Sequence, residues 1–245
     1  MKNRLAVVIF LSLFSAMSWA ASAGVELEHM EPNLADKASL QSGAKTYLNY
    51  CFGCHSTKYA RYERIADDLE IPHELFMDNL VFNDAKIGEL MEIAMPEKGA
   101  KRWFGATPPD LTLVTRLRGV DWFYSYLKGF YQDESRPWGV NNTVFPDVGM
   151  PHVLHELQGI QIKDCGSHEG DEHAVCNDLK LVEGSGTLTA DEYDQVAYDL
   201  TNFLHYMGDP SREDREALGI KVLIFIFIFF IAAWFLNREF WRDVH

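Results

Sequence analysis

Five consecutive residues in this chain have the types and spacing to hold a metal cofactor covalently: Cys51-Phe52-Gly53-Cys54-His55. Two thiols three positions apart can each add to a vinyl group of a porphyrin, and the adjoining imidazole then lies under the iron. A C-x-x-C-H run of this kind is read as a c-type haem attachment site. A bare C-x-x-C also fits a dithiol redox pair or half of a zinc site. The histidine and the export signal described next favour haem c, one per chain and covalently bound.

The elements around the motif set its compartment. Lys2 and Arg4 precede the apolar stretch Leu5 to Phe14, and Ala21-Ser22-Ala23 supplies small residues for cleavage. These are the three parts of a secretory signal. The expected signal is 1–23, leaving Gly24 as the mature start, with an earlier cut after Ala20 still open. At the other end, Val222 to Leu236 is unbroken apolar sequence. It is short of the ~20 residues that span a bilayer unless Leu218 to Lys221 are added. Lys221 can snorkel, Trp234 suits an interface, and Arg238 and Arg242 follow. The expected organisation is therefore a signal (1–23), an exported haem domain (24–210), a charged linker (211–217), a transmembrane anchor (218–236) and a cytoplasmic tail (237–245). This places the body on the outer face of a bacterial inner membrane, in the periplasm.

The formal charge is −14, and it moves to near −16 once the signal takes Lys2 and Arg4 with it. Such an acidic surface excludes nucleic acid and suits either a basic protein partner or plain solubility. No Ser/His/Asp or paired-carboxylate constellation points to hydrolysis.

Hydrophobic periodicity predicts a mainly α body with long loops. Asp36 to Asn49 reads as a helix entering the motif, with Gly43 and Tyr47 on one face. Ile71 to Glu92 reads as mostly helical, and Met95 to Asp110 as loop. Leu111 to Phe130 reads as one or two helices broken near Gly119. Thr189 to Met207 is an amphipathic helix opened by a Thr189/Glu192 capping box and stopped by Gly208-Asp209-Pro210. No stretch reads convincingly as strand.

A c-type haem iron takes a second axial ligand, and a methionine there raises the potential relative to histidine. Met150 leads, because Val148-Gly149-Met150-Pro151 is a loop able to turn a thioether inward. Met95-Pro96 is its rival and histidines remain open. Met77, Met91 and Met207 lie on helical stretches where core packing is their ordinary role.

With these residues in view, the chain resembles the cytochrome c1 family, the haem subunits of ubiquinol–cytochrome c oxidoreductase. The resemblance rests on Cys51 to His55, Pro108-Pro109-Asp110-Leu111, Gly149-Met150-Pro151, and the carboxyl-terminal helix and anchor after Asp209-Pro210. It implies a class I c-type cytochrome core and selects Met150 as the second ligand beside His55. It also implies a propionate contact from Arg118, with Arg116 two residues away. The implied partners are cytochrome b, a Rieske iron–sulfur protein as electron donor and a cytochrome c as acceptor, in a dimeric complex. The chain would carry electrons without an active site of its own. A tethered cytochrome of another oxidase or reductase, or a haem-free thiol–disulfide protein, are the alternatives.

Gln158 to Gly186 does not match the family core. It holds Cys165, His168, His173 and Cys176. The oxidising compartment favours a Cys165–Cys176 disulfide over a zinc site.

Overall fold

The computed structural model describes residues 25–164 and 178–242. The expected signal, the Cys165/Cys176 pair with its histidines, and the last three residues lie outside them. The architecture is mainly α, and its elements are labelled here in chain order.

Helix α1 (Lys37–Thr46) is capped by Asp36, whose carboxylate accepts from the Ser39 amide. It widens into a π-helical turn, Tyr47–Cys51, which delivers the chain into the cysteine motif. Single π turns of this kind recur at functional sites. Then follow β1 (Thr57–Arg61), α2 (Tyr62–Asp68), α3 (His73–Leu80), β2 (Leu90–Met91), α4 (Glu97–Phe104), α5 (Val114–Arg118) and α6 (Val120–Lys128). The chain continues through β3 (Phe130–Gln132), β4 (Val140–Asn142), α7 (His155–Gln158), β5 (Gln161–Lys163), β6 (Leu179–Leu181), α8 (Ala190–Gly208) and α9 (Arg212–Phe240).

The core forms where α1, α6 and α8 meet. Helix α8 starts at the expected capping box: Thr189 Oγ1 accepts from the Glu192 amide, and the Glu192 carboxylate accepts from the Thr189 amide. Its apolar face buries Ala197, Leu200, Phe203, Leu204 and Met207. A Cβ on Gly43 of α1 would lie 2.6 Å from Phe203 Cβ. Only a bare Cα therefore permits this approach of the two helices. Tyr47, one turn on, is fully buried against Phe203. From the other side, Tyr193 Oη donates to Leu127 O of α6 at 2.8 Å.

The expected break at Gly119 is present, at φ 93°, between α5 and α6. Other expectations are corrected. The stretch 71–92 is helical only over His73–Leu80, and Met91 lies in a strand. The stretch 95–110 is not all loop, because Glu97–Phe104 is a helix ended by Gly105 at φ 78°. Strands do occur, as three antiparallel pairs: β1–β2, β3–β4 and β5–β6. None exceeds five residues, too few for alternation to register in sequence.

Helix α9 is 29 residues long, with a mean hydropathy of 2.6 over its most apolar stretch and no buried residue. It is long and apolar enough to cross a membrane. The segment expected as a linker, 211–217, is helical from Arg212 and forms its first turns. Asp209 holds this junction, accepting from Arg215 Nη1 at 2.9 Å and Nη2 at 2.7 Å.

Candidate haem site

The cysteine motif leaves the π turn as tight backbone. The Phe52 amide donates to Tyr47 O, and the amides of Cys54 and His55 both donate to Cys51 O. This winding makes the motif a single tight turn of backbone. Cys51 is buried and Cys54 is half-buried, and no disulfide joins them. Burial pushes the Cys51 thiol up to about 12, with the neighbouring Cys54 adding to the effect. Burial raises Cys54 as well. A redox dithiol needs a depressed thiol pKa, so this environment opposes the thiol–disulfide alternative.

His55 is 8% exposed. Its Nδ1 lies 2.7 Å from the carbonyl oxygen of Pro109. A carbonyl can only accept, so Nδ1 carries the proton and Nε2 carries the free lone pair. Metal-binding histidines are oriented by this kind of partner. Burial lowers the imidazole pKa, which keeps it neutral as a ligand must be. Tyr47 Oη donates to the His55 carbonyl at 2.6 Å, fixing the backbone beneath the ring.

The Pro108-Pro109-Asp110-Leu111 run reaches His55 because Asp110 ties it down. Asp110 accepts from the Lys58 amide at 2.8 Å and the Thr112 amide at 3.0 Å. The Leu111 amide donates to Ser56 O. Helix α5 starts after Leu113, and Asp110 does not cap it. The carboxylate stitches two loops instead.

Met150 is half-buried, beyond the buried Val148. Its Sδ accepts from Tyr126 Oη at 3.3 Å. A Cβ on Gly149 would sit 3.5 Å from Phe104 O, an ordinary contact, so this glycine is not demanded by space. The turn is made one position earlier than Val148, by Asp147 at φ 61°. Arg136 clamps Asp147, bonding its carboxylate and its carbonyl at 2.8 Å each. Of the rivals, Met91 and Met207 are enclosed in the core. Met77 lies on α3, and Met95 is half-buried in a loop.

The two arginines separate clearly. Arg116 Nη1 donates to Gly208 O at 3.2 Å and lies 3.8 Å from Asp209, at the end of α8. Arg118 makes no ion pair among the described residues, and its guanidinium stands 5.1 Å from the Trp122 ring centre. Arg118 is thus the arginine that faces aromatic rings and has no carboxylate partner among the described residues.

Sequence reasoning missed the aromatic stripe behind these residues. Trp122, Tyr126 and Phe130 follow Arg118 at four-residue steps. Trp122 stacks on Tyr126 at 5.1 Å, and Tyr126 meets Phe130 edge-on at 5.2 Å. Phe130 stacks on His152 at 4.6 Å. Their four-residue spacing was the available signal. Thr112 Oγ1, in the loop that carries Pro109, is buried without a hydrogen-bond partner among the described residues. Two thiols, a neutral imidazole with a free Nε2, and a thioether form a donor set that fits haem c.

The description "Cytochrome C1 family" belongs to the family model that matches residues 84–244. The chain belongs to the cytochrome c1 family. It is 49% identical over 244 residues to a cytochrome c1 of Allochromatium vinosum, covering 99% of this chain and 100% of that protein. It is 40% identical over 245 residues to a protein of Nitrosomonas europaea named ammonia monooxygenase gamma subunit, covering 99% and 100%. A cytochrome c1 of Rhodospirillum rubrum is 25% identical over 232 residues, covering 85% and 83%. The family model begins after the cysteine motif, which the full-length matches include. A cytochrome c1 is a haem c protein of electron transport in the respiratory chain, so the cofactor is haem c, and the C-terminal apolar helix fits a transmembrane segment.

Proposed function

We propose that this chain carries single electrons in a quinol–cytochrome c reductase, from a Rieske iron–sulfur protein to a cytochrome c, beside a cytochrome b. Cys51 and Cys54 would hold haem as thioethers, and His55 and Met150 would ligate its iron. When bound, haem c contributes a one-electron change between ferrous and ferric iron. The residues do the rest. Pro109 keeps the His55 lone pair on Nε2. Met150, a soft thioether, favours the ferrous state and so a high potential. Arg118 stands free to pair a propionate. Helix α9 anchors the chain through 218–236, with 24–210 in the periplasm and 237–245 in the cytoplasm.

The observation that carries this reading is the His55–Pro109 bond beside Cys51 and Cys54, which prepares one nitrogen for iron. Denatured protein in alkaline pyridine should show the sharp ferrous band of bound haem c. Met150→Leu should lower the potential sharply and abolish the weak sulfur-to-iron band near the red end. An unchanged potential and band in that variant reject Met150 as ligand.

The Nitrosomonas relative's name favours one other reading, a tethered cytochrome serving a different oxidase or reductase. Co-purification of a cytochrome b from gently solubilised membranes supports the reductase. A chain that purifies alone supports the other reading.

A further inference from the structure

Tyr126 is 8% exposed, and among the described residues its hydroxyl makes one hydrogen bond, to Met150 Sδ at 3.3 Å. The ring has little freedom to turn elsewhere. Trp122 lies flat on it, 9° from parallel, and the Phe130 edge meets it at 69°. The Tyr126 carbonyl is itself held, accepting from Asn142 Nδ2 at 2.8 Å. Asn142 is 1% exposed and also accepts from the amides of Val144 and Phe145, on the way to Met150. Donor and acceptor are therefore fixed by one network. A thioether sulfur has no proton to give, so in this contact the Tyr126 hydroxyl is the donor.

A thioether sulfur has two lone pairs and is a weak acceptor. If a metal takes one, a hydroxyl can take only the other. That division fixes which side of the sulfur faces the metal. It also draws electron density from the sulfur, making it a poorer donor to ferric iron.

We propose that Tyr126 is a positioning residue for Met150: its hydroxyl occupies one sulfur lone pair, directs the other to the haem iron, and raises the haem potential. The inference rests on Met150 being the axial ligand. The side chain that tunes the site thus belongs to α6, remote in sequence from both the cysteine motif and the methionine loop.

The test uses haem-loaded protein in detergent-solubilised membranes, with Tyr126→Phe and Met150→Leu prepared in parallel. Tyr126→Phe keeps the ring and its stacking and removes only the oxygen. The expected result is a lower midpoint potential, equivalent to about a two- to tenfold smaller ferrous-to-ferric ratio at fixed ambient potential, the worth of one neutral hydrogen bond. The ferric sulfur-to-iron band should persist but move. Met150→Leu should lose the band. A Tyr126→Phe protein with wild-type potential and band position, beside a Met150→Leu protein that has lost the band, overturns the role of Tyr126 and leaves the ligand intact. A Met150→Leu protein that keeps the band overturns the ligand reading, and this inference with it.

Discussion

The Cα of Gly43 lies so close to Asp199 that a Cβ there would come within 2.0 Å of the Asp199 carbonyl oxygen. This backbone approach brings α1 against α8 and so sets where the π turn and the cysteine motif begin. Ser39 Oγ donates to the Asp199 carboxylate at 2.7 Å on the same interface. Gly43→Ala should lower unfolding stability toward the upper end of the ~1–3 kcal/mol typical of overpacking. Alanine gains about 1 kcal/mol of helix propensity over glycine. The clash outweighs it, because the obstructing atom is backbone and cannot swing away. Chemical denaturation of the solubilised chain checks this, and an alanine variant as stable as the parent contradicts it.

Arg118→Ala removes a cation that has no carboxylate partner among the described residues. It should lower the haem potential by less than Met150→Leu does, because an unpaired propionate favours ferric iron. Arg116→Ala should leave the potential unchanged, since Arg116 is spent on Gly208 and Asp209. It should cost less than about 1 kcal/mol, as exposed pairs do. Redox titration of both variants distinguishes the two arginines; a larger potential shift from Arg116 reverses the assignment.

Asn142→Ala takes the side-chain donor from the Tyr126 carbonyl, which keeps the Gly129 amide at 3.3 Å, and takes the acceptor from the part-buried amides of Val144 and Phe145. Leaving such groups unmet should cost about 2 kcal/mol or more. The loop to Met150 loosens with it. The sulfur-to-iron band should therefore fade at a lower temperature than in the parent, before the haem domain unfolds.

His205 gives a pH dependence. Its Nε2 accepts from Arg212 Nη1 at 2.9 Å, and its Nδ1 is buried without a partner among the described residues. Burial lowers its pKa, and the charges of Arg212 and Arg116 lower it further, against Asp209. The unfolded chain thus takes up a proton near 6.5, where the folded imidazole stays neutral. Stability is lost as pH falls below that value, until the folded imidazole also protonates. The slope lies under about 1.4 kcal/mol per pH unit, reduced by solvent access at this half-buried site. Thermal midpoints across mildly acidic pH should fall less steeply in His205→Asn than in the parent.

The amino-acid order alone carried the family's cofactor and several elements around the cysteine motif. The cysteine motif, the capping box at Thr189 and the break at Gly119 are local signals, decided by spacing or by one residue's backbone freedom. The apolar length of α9 was equally plain, because spanning a bilayer is a property of a single stretch. Helix α4 and the three strand pairs were not legible. Helix α4 contains glycine and opens after proline, and strands of two to five residues hold too little periodicity to separate from loop.

What only the tertiary structure decided is how distant residues divide the work. Pro109 orients His55 across 54 positions, and Tyr126 reaches Met150 across 24. Arg116 and Arg118 look alike in sequence, yet one braces the end of α8 and the other faces Trp122 with no carboxylate partner among the described residues. Hydrogen bonds and ring contacts of this kind depend on angstrom-scale placement by packed helices, which no pattern along the chain records.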